Sequence, residues 1–192
     1  MNAPLYFAPK QADIIASACF AEGAFSAPEV DRIEALGRDL KFEQAKVATG
    51  AVSLEKRSSR IAWLPNDARW TWLYQRMHAY VQQFNLHYGF DVWGFHESMQ
   101  FLEYGEGGHF DWHVDAGVPG AAPRKLSFTL QLSDPGSYEG GELEVWGADR
   151  AITPRTRGTL ICFPSFVLHR VAPVARGVRR AVVAWATGEP FR

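Results

Sequence analysis

Cysteine, excess charge and long apolar runs are all scarce in this sequence of 192 residues. The two cysteines, Cys19 and Cys162, lie far apart and form no C-x-x-C motif, which argues against both a zinc knuckle and a structural disulfide. The formal net charge at pH 7 is −1, so no excess of Lys and Arg indicates a nucleic acid or an anionic membrane as a partner. We therefore expect a protein of a reducing compartment that binds neither.

The N-terminus is not apolar enough to serve as a signal peptide or to span a membrane. It carries Lys10 late and Asp13 inside a short apolar run. We expect a soluble, cytoplasmic protein for this reason. The length suits one domain and the 47% of hydrophobic residues suffice for a core, so the sequence predicts a single domain over residues 1–192.

Helix signals dominate the first half of the chain. Ser26 and Glu29 have the spacing of a capping box, and apolar residues then recur at helical intervals, which predicts a helix over residues 27–40. A second apolar stripe runs from Trp70 to Phe84, and the motif HYGFD supplies a glycine at its exit. We expect both helices, within a supporting region of residues 1–95, to cover one face of a sheet.

Strand signals begin at residue 97. Short runs broken by turns predict strands over 97–104, 112–115, 125–132, 142–147, 158–163, 166–171 and 178–186. Such a series, preceded by helices, indicates two sheets packed face to face. The predicted fold class is α+β and mostly β: a double-stranded β-helix, or jelly roll, over residues 96–188 with N-terminal supporting helices.

The stretch YGEGGHFDWHVD concentrates polar groups that no structural role requires. It contains two His-x-Asp pairs, His109 with Asp111 and His113 with Asp115. On an extended strand both members of a pair point the same way, so either pair can hold a metal ion, and composition does not choose between them. His169 is the best placed additional histidine. Two histidines and one carboxylate leave three positions open, which is the arrangement that non-heme Fe(II) oxygenases use.

The order of the motifs carries a resemblance to a known family. The pattern Tyr104-x-x-Gly107-x-x-Phe110-x-x-His113-x-Asp115 is followed by RKLSFTLQLSD, GGELEVW and GTLICFPSFVLHRVAPVARGVRRAVVAW. Over residues 97–186 the chain resembles the Fe(II)- and 2-oxoglutarate-dependent dioxygenases of the prolyl 4-hydroxylase-like superfamily. The resemblance implies the jelly-roll fold, with Fe(II), 2-oxoglutarate and O2 as cofactor and co-substrates and ascorbate in a supporting role.

The resemblance also assigns the iron ligands and one arginine. It places the ligands at His113, Asp115 and His169. Arg179 matches the family's arginine for the C5 carboxylate of 2-oxoglutarate. The adjacent Arg180 is expected to face outward or to lie under a neighbouring element, because successive strand residues point to opposite faces.

Three further residues are candidates for contact with 2-oxoglutarate. Tyr104 matches the family's position for a hydroxyl near the co-substrate, although a buried structural tyrosine is the alternative. In SFTLQL polar and apolar residues alternate, so one face of this strand is polar. If that face looks into the barrel, Thr129 or Gln131 can supply a hydrogen bond.

The segment between the predicted helices is the candidate for substrate selection. Residues 52–70 combine basic and aromatic side chains, and Arg and Trp are enriched at binding hot spots. We expect Arg57, Arg60 and Trp63 to form one wall of the substrate cleft, with His109 at its rim. A solvated basic loop is the alternative interpretation.

These features predict an oxygenase that hydroxylates an unactivated C–H bond and releases succinate and CO2. A peptidyl or free proline is the first candidate substrate, followed by other amino acids and small metabolites. Two alternatives stay open: a zinc hydrolase that uses the same three ligands, and a non-catalytic jelly-roll binding module. The sequence does not indicate the oligomeric state.

Overall fold

The computed structural model describes residues 18–46, 50–117, 123–146 and 150–190, so most of the N-terminal stretch discussed above lies outside the described residues. Within them, no helix is long and apolar enough to cross a membrane. The helices are α1 (Ala27–Arg38) and α2 (Thr71–Tyr88). The strands are β1 (Cys19–Ala21), β2 (Glu43–Gln44), β3 (Arg57–Ser58), β4 (Arg60–Trp63), β5 (Gly94–Phe95), β6 (Gln100–Tyr104), β7 (His109–His113), β8 (Arg124–Gln131), β9 (Tyr138–Gly140), β10 (Leu143–Trp146), β11 (Arg150–Ile152), β12 (Leu160–Pro164), β13 (His169–Val171), β14 (Val174–Gly177) and β15 (Arg179–Thr187).

Both predicted helices are confirmed. The Glu29 carboxylate accepts hydrogen bonds from the backbone N–H and the hydroxyl of Ser26, which closes the capping box at the start of α1. Near its end, α1 lies directly on the sheet: a Cβ at Gly37 would be 2.3 Å from the ring of Phe101. The second helix ends at Gly89, whose φ of 67° is left-handed and is readily adopted by glycine.

The strands form two main antiparallel sheets, which confirms the predicted jelly-roll class. The major sheet has the strand order β1-β12-β8-β15-β6-β4-β2, with β5 paired to β15. The minor sheet has the order β11-β10-β13-β7-β3, and β9 pairs with β14 separately. Both helices cover the outer face of the major sheet, so its inner face is left to meet the minor sheet.

β8, at the centre of the major sheet, shows how its two faces divide. Phe128 and Leu130 belong to the apolar core beneath the helices. Ser127 and Thr129 point the other way and line an internal cavity, and Gln131 reaches the arginine of the neighbouring strand. The polar face of this strand therefore points into the barrel, as the alternation of polar and apolar residues in SFTLQL allowed.

Two predictions from the sequence are corrected by the strand pairing. The strand expected over 112–115 is β7, residues 109–113, so Asp115 lies beyond the strand in a bend. The segment 52–70, expected to be a loop, contains β3 and β4. β3 pairs with β7 in the minor sheet, whereas β4 pairs with β6 in the major sheet, so the chain crosses between the sheets at Ser59.

Candidate metal centre and co-substrate cavity

Two histidines and one aspartate meet where the minor sheet faces the cavity. His113 ends β7 and lies directly opposite His169, the first residue of β13. The Nε2 atoms of His113 and His169 lie 3.7 Å and 3.5 Å from carboxylate oxygens of Asp115. All three candidate ligand atoms are within 4.8 Å of one another. Three donors this close can bind one divalent metal ion.

Backbone carbonyls orient both imidazole rings. The Nδ1 atom of His113 lies 2.7 Å from the carbonyl oxygen of Asp111, and Nδ1 of His169 lies 3.0 Å from that of Val167. Because a carbonyl oxygen only accepts, Nδ1 carries the proton in each ring and Nε2 keeps its lone pair. The ring nitrogens that face Asp115 are therefore the ones free to bind a metal.

Asp115 is fixed by two serines although it lies beyond its strand. The backbone N–H groups of Asp115 and Ala116 donate to the carbonyl oxygen of Ser165, at 2.8 and 2.9 Å. The hydroxyl of Ser127 donates to Oδ2 of Asp115 at 2.7 Å and lies 3.0 Å from the Ser165 hydroxyl. The carboxylate thus has a set direction before any metal binds.

The pKa values keep these side chains in the forms that bind a metal. Burial and the neighbouring His169 lower the pKa of His113 to about 3. Burial opposes ionisation of Asp115, but the two imidazoles and the Ser127 hydroxyl outweigh it and lower the pKa of this carboxyl to about 2. At neutral pH His113 is therefore neutral and Asp115 is a carboxylate.

The three residues line a cavity of about 540 Å³, to which both sheets contribute. This volume lies within the usual range for a small-molecule site. The major sheet supplies both apolar and polar side chains to the wall, and the polar ones include Gln100, Tyr104, Ser127, Thr129 and Arg179.

Arg179 is a buried cation that has no counter-charge among the described residues. It is 1% exposed, and within the described part of the chain it forms no ion pair. One guanidinium nitrogen donates to Oε1 of Gln131 at 3.0 Å, but the buried Nε has no hydrogen-bond partner. The guanidinium carbon lies 5.5 Å from the centre of the Tyr104 ring. A buried, uncompensated charge is costly, so this wall of the cavity is suited to an anion.

Arg180 points the other way. Its Nε donates to the Glu103 carboxylate at 2.8 Å, and its guanidinium lies 3.9 Å from Glu34 of α1. The structure thus directs one arginine into the cavity and the other beneath a helix.

Comparison with known families agrees with this geometry. Residues 99–187 match the model of the 2OG-Fe(II) oxygenase superfamily, and this span contains the three candidate ligands and Arg179. These residues, slightly less than half of the chain, are similar to that superfamily.

The chain is also similar in sequence to a named hydroxylase. Over 93 residues this chain is 43% identical to a PKHD-type hydroxylase of Synechococcus elongatus. The alignment covers 46% of this chain and 42% of that protein, so it spans less than half of the relative's length.

Two solved structures show the same fold over most of both chains. A Pseudomonas putida prolyl-4-hydroxylase is 20% identical, with a TM-score of 0.72 over 90% of this chain and 92% of the other. A Trichoplax adhaerens prolyl hydroxylase in complex with a peptide fragment of the hypoxia inducible factor oxygen degradation domain is 18% identical, with a TM-score of 0.75 over 90% and 84%.

The cavity receives only one of the three residues expected from the segment 52–70. Arg57 is 8% exposed and lines the cavity. Arg60 does not, because it lies on β4 opposite Glu103 and forms an ion pair of 2.7 Å with it on the outside. Trp63 is 44% exposed and its indole N–H donates to Glu43 of the edge strand β2. The structure thus places neither Arg60 nor Trp63 among the residues that line this cavity.

His109 is also placed away from the cavity lining. Its Nδ1 and Nε2 atoms lie 2.9 Å from the carbonyl oxygens of Gly107 and Glu55. The ring therefore joins β7 to the turn before β3, and its expected contact with a substrate at the rim stays a prediction. Asp111, the other member of this His-x-Asp pair, does line the cavity, and its backbone carbonyl orients His113.

Sequence reasoning missed the residues that support the ligands. Phe110 stacks on the His113 ring with centroids 3.4 Å apart, and Ser127 and Ser165 hold Asp115. The alternation of SFTLQL signalled that Ser127 is on the polar face, but no local pattern linked it to a residue twelve positions earlier. Phe110 is part of the family pattern, but the pattern gave it no role, and Ser165 carried no signal beyond its proximity to His169.

Proposed function

We propose that this protein is an Fe(II)- and 2-oxoglutarate-dependent oxygenase that hydroxylates an unactivated C–H bond of a prolyl or other amino-acid substrate. The observation that carries the proposal is that a three-ligand metal centre and the buried, unpaired Arg179 share one cavity. The ligands alone suit several metal enzymes. The additional cation provides a site for a second, anionic reactant.

The donor set fits iron. Two neutral imidazole nitrogens and one carboxylate are the ligands of non-heme Fe(II) oxygenases, and they leave positions for a co-substrate and O2. His113, Asp115 and His169 would hold the metal. Among the described residues, no fourth His, Cys, Asp or Glu joins this group. An open site of this kind is typical of a catalytic metal rather than a closed structural one.

The wall around Arg179 fits 2-oxoglutarate. The guanidinium would bind the C5 carboxylate, and Gln131 already fixes one of its nitrogens. The Nε, which has no hydrogen-bond partner among the described residues, is available to an anion. Tyr104 and Thr129 line the same cavity and carry hydroxyl groups that would complete the site.

Bound Fe(II) and 2-oxoglutarate would supply the oxidising power, with one atom of O2 entering the substrate and the other entering succinate as CO2 is lost. The protein's own residues bind and orient the reactants. The carbonyls of Asp111 and Val167 set the two imidazoles, and Ser127 sets Asp115. Burial of Asp115 and His169 keeps bulk water from the ligands.

An amino-acid substrate is supported by the proteins that this chain resembles. The Synechococcus elongatus relative is named a hydroxylase, and both structural neighbours are named prolyl hydroxylases. The Trichoplax adhaerens protein is in complex with a peptide. We therefore place a prolyl side chain first among the candidate substrates.

The alternative of a zinc hydrolase uses the same three ligands and an activated water. It gives no role to Arg179, which is buried with no counter-charge among the described residues, and this favours the oxygenase.

Reconstitution with either metal tests the choice. The protein loaded with Fe(II) should convert 2-oxoglutarate to succinate in the presence of ascorbate and O2, and mass spectrometry should find one added oxygen atom in a proline-containing peptide or an amino acid. The Zn(II) form should make no succinate. If the Zn(II) form hydrolyses model amides and the Fe(II) form leaves 2-oxoglutarate intact, the hydrolase is correct.

A further inference from the structure

A second guanidinium in the cavity wall has no counter-charge within the part of the chain that the structure describes. Arg57 is 8% exposed, and within the described part of the chain it forms no ion pair. Its Nε donates to the Ser59 hydroxyl and its Nη1 to the carbonyl oxygen of Lys46, each at 3.1 Å. These acceptors are neutral, and Nη2 has no partner among the described residues. The side chain is therefore held in place while its charge is left uncompensated.

Arg57 is fixed beside the metal centre by a stack of rings. Its guanidinium carbon lies 4.5 Å from the centre of the Phe110 ring, on the strand to which β3 is paired. Phe110 in turn stacks on His113, with an angle of 17° between the rings. Arg57 thus belongs to the minor sheet on the His113 side of the centre, whereas Arg179 belongs to the major sheet. The two cations are separate sites in one cavity.

The charge of the cavity leaves Arg57 available after the reactants of the proposed function have bound. Bound Fe(II) would bring two positive charges, whereas Asp115 and a dianionic co-substrate together would bring three negative charges. Arg179 would neutralise the one negative charge that remains. The remaining charged lining residues are Lys46, Lys56, Arg57, Arg124 and Asp111. Arg124 is neutralised by a two-pronged ion pair with Glu97. Among the described lining residues this leaves one carboxylate, Asp111, and three cations, Lys46, Lys56 and Arg57.

We propose that Arg57 binds a carboxylate of the substrate that is to be oxidised, with Lys56 adding positive charge at the mouth of the cavity. The proposal rests on the proposed oxygenase function and narrows its substrate class. A buried guanidinium has most to gain from a charged, planar partner such as a carboxylate. An internal peptide unit offers only a neutral carbonyl, and the protein already supplies two neutral acceptors to this side chain. The substrate is thus a free amino acid or a related carboxylic acid, or the C-terminal residue of a peptide.

Binding without turnover tests the carboxylate requirement. The Fe(II) protein is first titrated with 2-oxoglutarate under nitrogen by calorimetry, which checks the co-substrate site by itself. The loaded protein is then titrated with each of the twenty L-amino acids and with the matching amino-acid amides. Gly-Gly-X peptides with a free or an amidated C-terminus form a second arm. At least one carboxylate should bind about tenfold to a hundredfold more tightly than its amide, as for a charge-assisted hydrogen bond.

Substitutions assign that preference to Arg57. The variant Arg57→Gln should lose the preference and keep its affinity for the amide and for 2-oxoglutarate, whereas Arg57→Lys should keep part of the preference. Arg60→Gln is the matched control, because Arg60 is three residues away, exposed and paired with Glu103 outside the cavity. It should behave as the wild type.

The outcomes separate this inference from the function on which it rests. Failure of the wild type to bind 2-oxoglutarate overturns both. If 2-oxoglutarate binds but no carboxylate binds more tightly than its amide, the oxygenase stands and the carboxylate site is wrong. A preference that survives in Arg57→Gln also overturns the assignment. Tighter binding of the free amino acid identifies a small metabolite, and tighter binding of the Gly-Gly-X acid identifies a chain end; both support the carboxylate site.

Discussion

Replacement of Arg179 by glutamine should separate the co-substrate site from the stability of the fold. Arg179 is buried, forms no ion pair within the described residues, and has an Nε without a partner. Removing an uncompensated buried charge is about neutral for stability, so the melting temperature of the metal-free protein should not fall. Losing a charge-assisted contact to the C5 carboxylate should cost about 2 to 5 kcal/mol of binding free energy. The Kd for 2-oxoglutarate should then rise by about 30-fold or more.

The assay is a thermal-shift titration of the Fe(II) protein with 2-oxoglutarate under nitrogen. A ligand that binds only the folded state raises the melting temperature with its concentration, so the variant should need a correspondingly higher concentration for the same shift. Arg180→Gln is the control, because Arg180 is adjacent in sequence but pairs with Glu103 on the outer face. Its 2-oxoglutarate titration should match the wild type.

The reasoning is refuted if Arg179→Gln and Arg180→Gln change the 2-oxoglutarate titration equally. It is also refuted if Arg179→Gln unfolds the metal-free protein, since Arg179 would then be a structural cation with a partner.

Three further predictions concern the metal centre and its surroundings. His113→Ala should abolish Fe(II) binding in an anaerobic metal titration, whereas His109→Gln should retain it; the reverse result would mean that the earlier His-x-Asp pair holds the metal. Ser127→Ala should weaken Fe(II) affinity about tenfold to a hundredfold while the protein remains folded, because Asp115 loses the hydroxyl that directs it; unchanged affinity would show that Ser165 and the backbone suffice. The carbonyls of Glu55 and Gly107 raise the pKa of His109 above its ordinary value of about 6.5. The stabilisation by protonated His109 should therefore be fully present below pH 6.5 and be lost as the pH rises through the raised pKa. The difference in unfolding free energy between wild type and His109→Gln, measured in urea, should shrink over that pH range. A difference that grows with pH would contradict the contact of the His109 ring with two carbonyls.

The sequence by itself determined the features that depend on local chain geometry. The capping box of Ser26 and Glu29 and the apolar stripe of α2 fixed the helices, because helical contacts join residues three or four positions apart. The alternation in β8 fixed its polar face, and the adjacency of Arg179 and Arg180 required that only one enter the barrel. The family pattern selected His113 and His169 as candidate ligands, and the pairing of β7 with β13 places them opposite each other.

Other features were decided by the tertiary structure, because they depend on segments that are distant in the chain. Asp115 is not held by its own strand, as parity suggested, but by Ser165. Arg57 and Arg60 are only three residues apart, yet one lines the cavity and the other pairs with Glu103 outside it. Strand alternation predicts side-chain direction only within one strand, and at Ser59 the chain leaves the minor sheet and joins the major one. Arg57 is buried because its strand pairs with β7, and Arg60 is exposed because its strand pairs with β6. Both partner strands are distant in the chain, so no local sequence pattern contains this information.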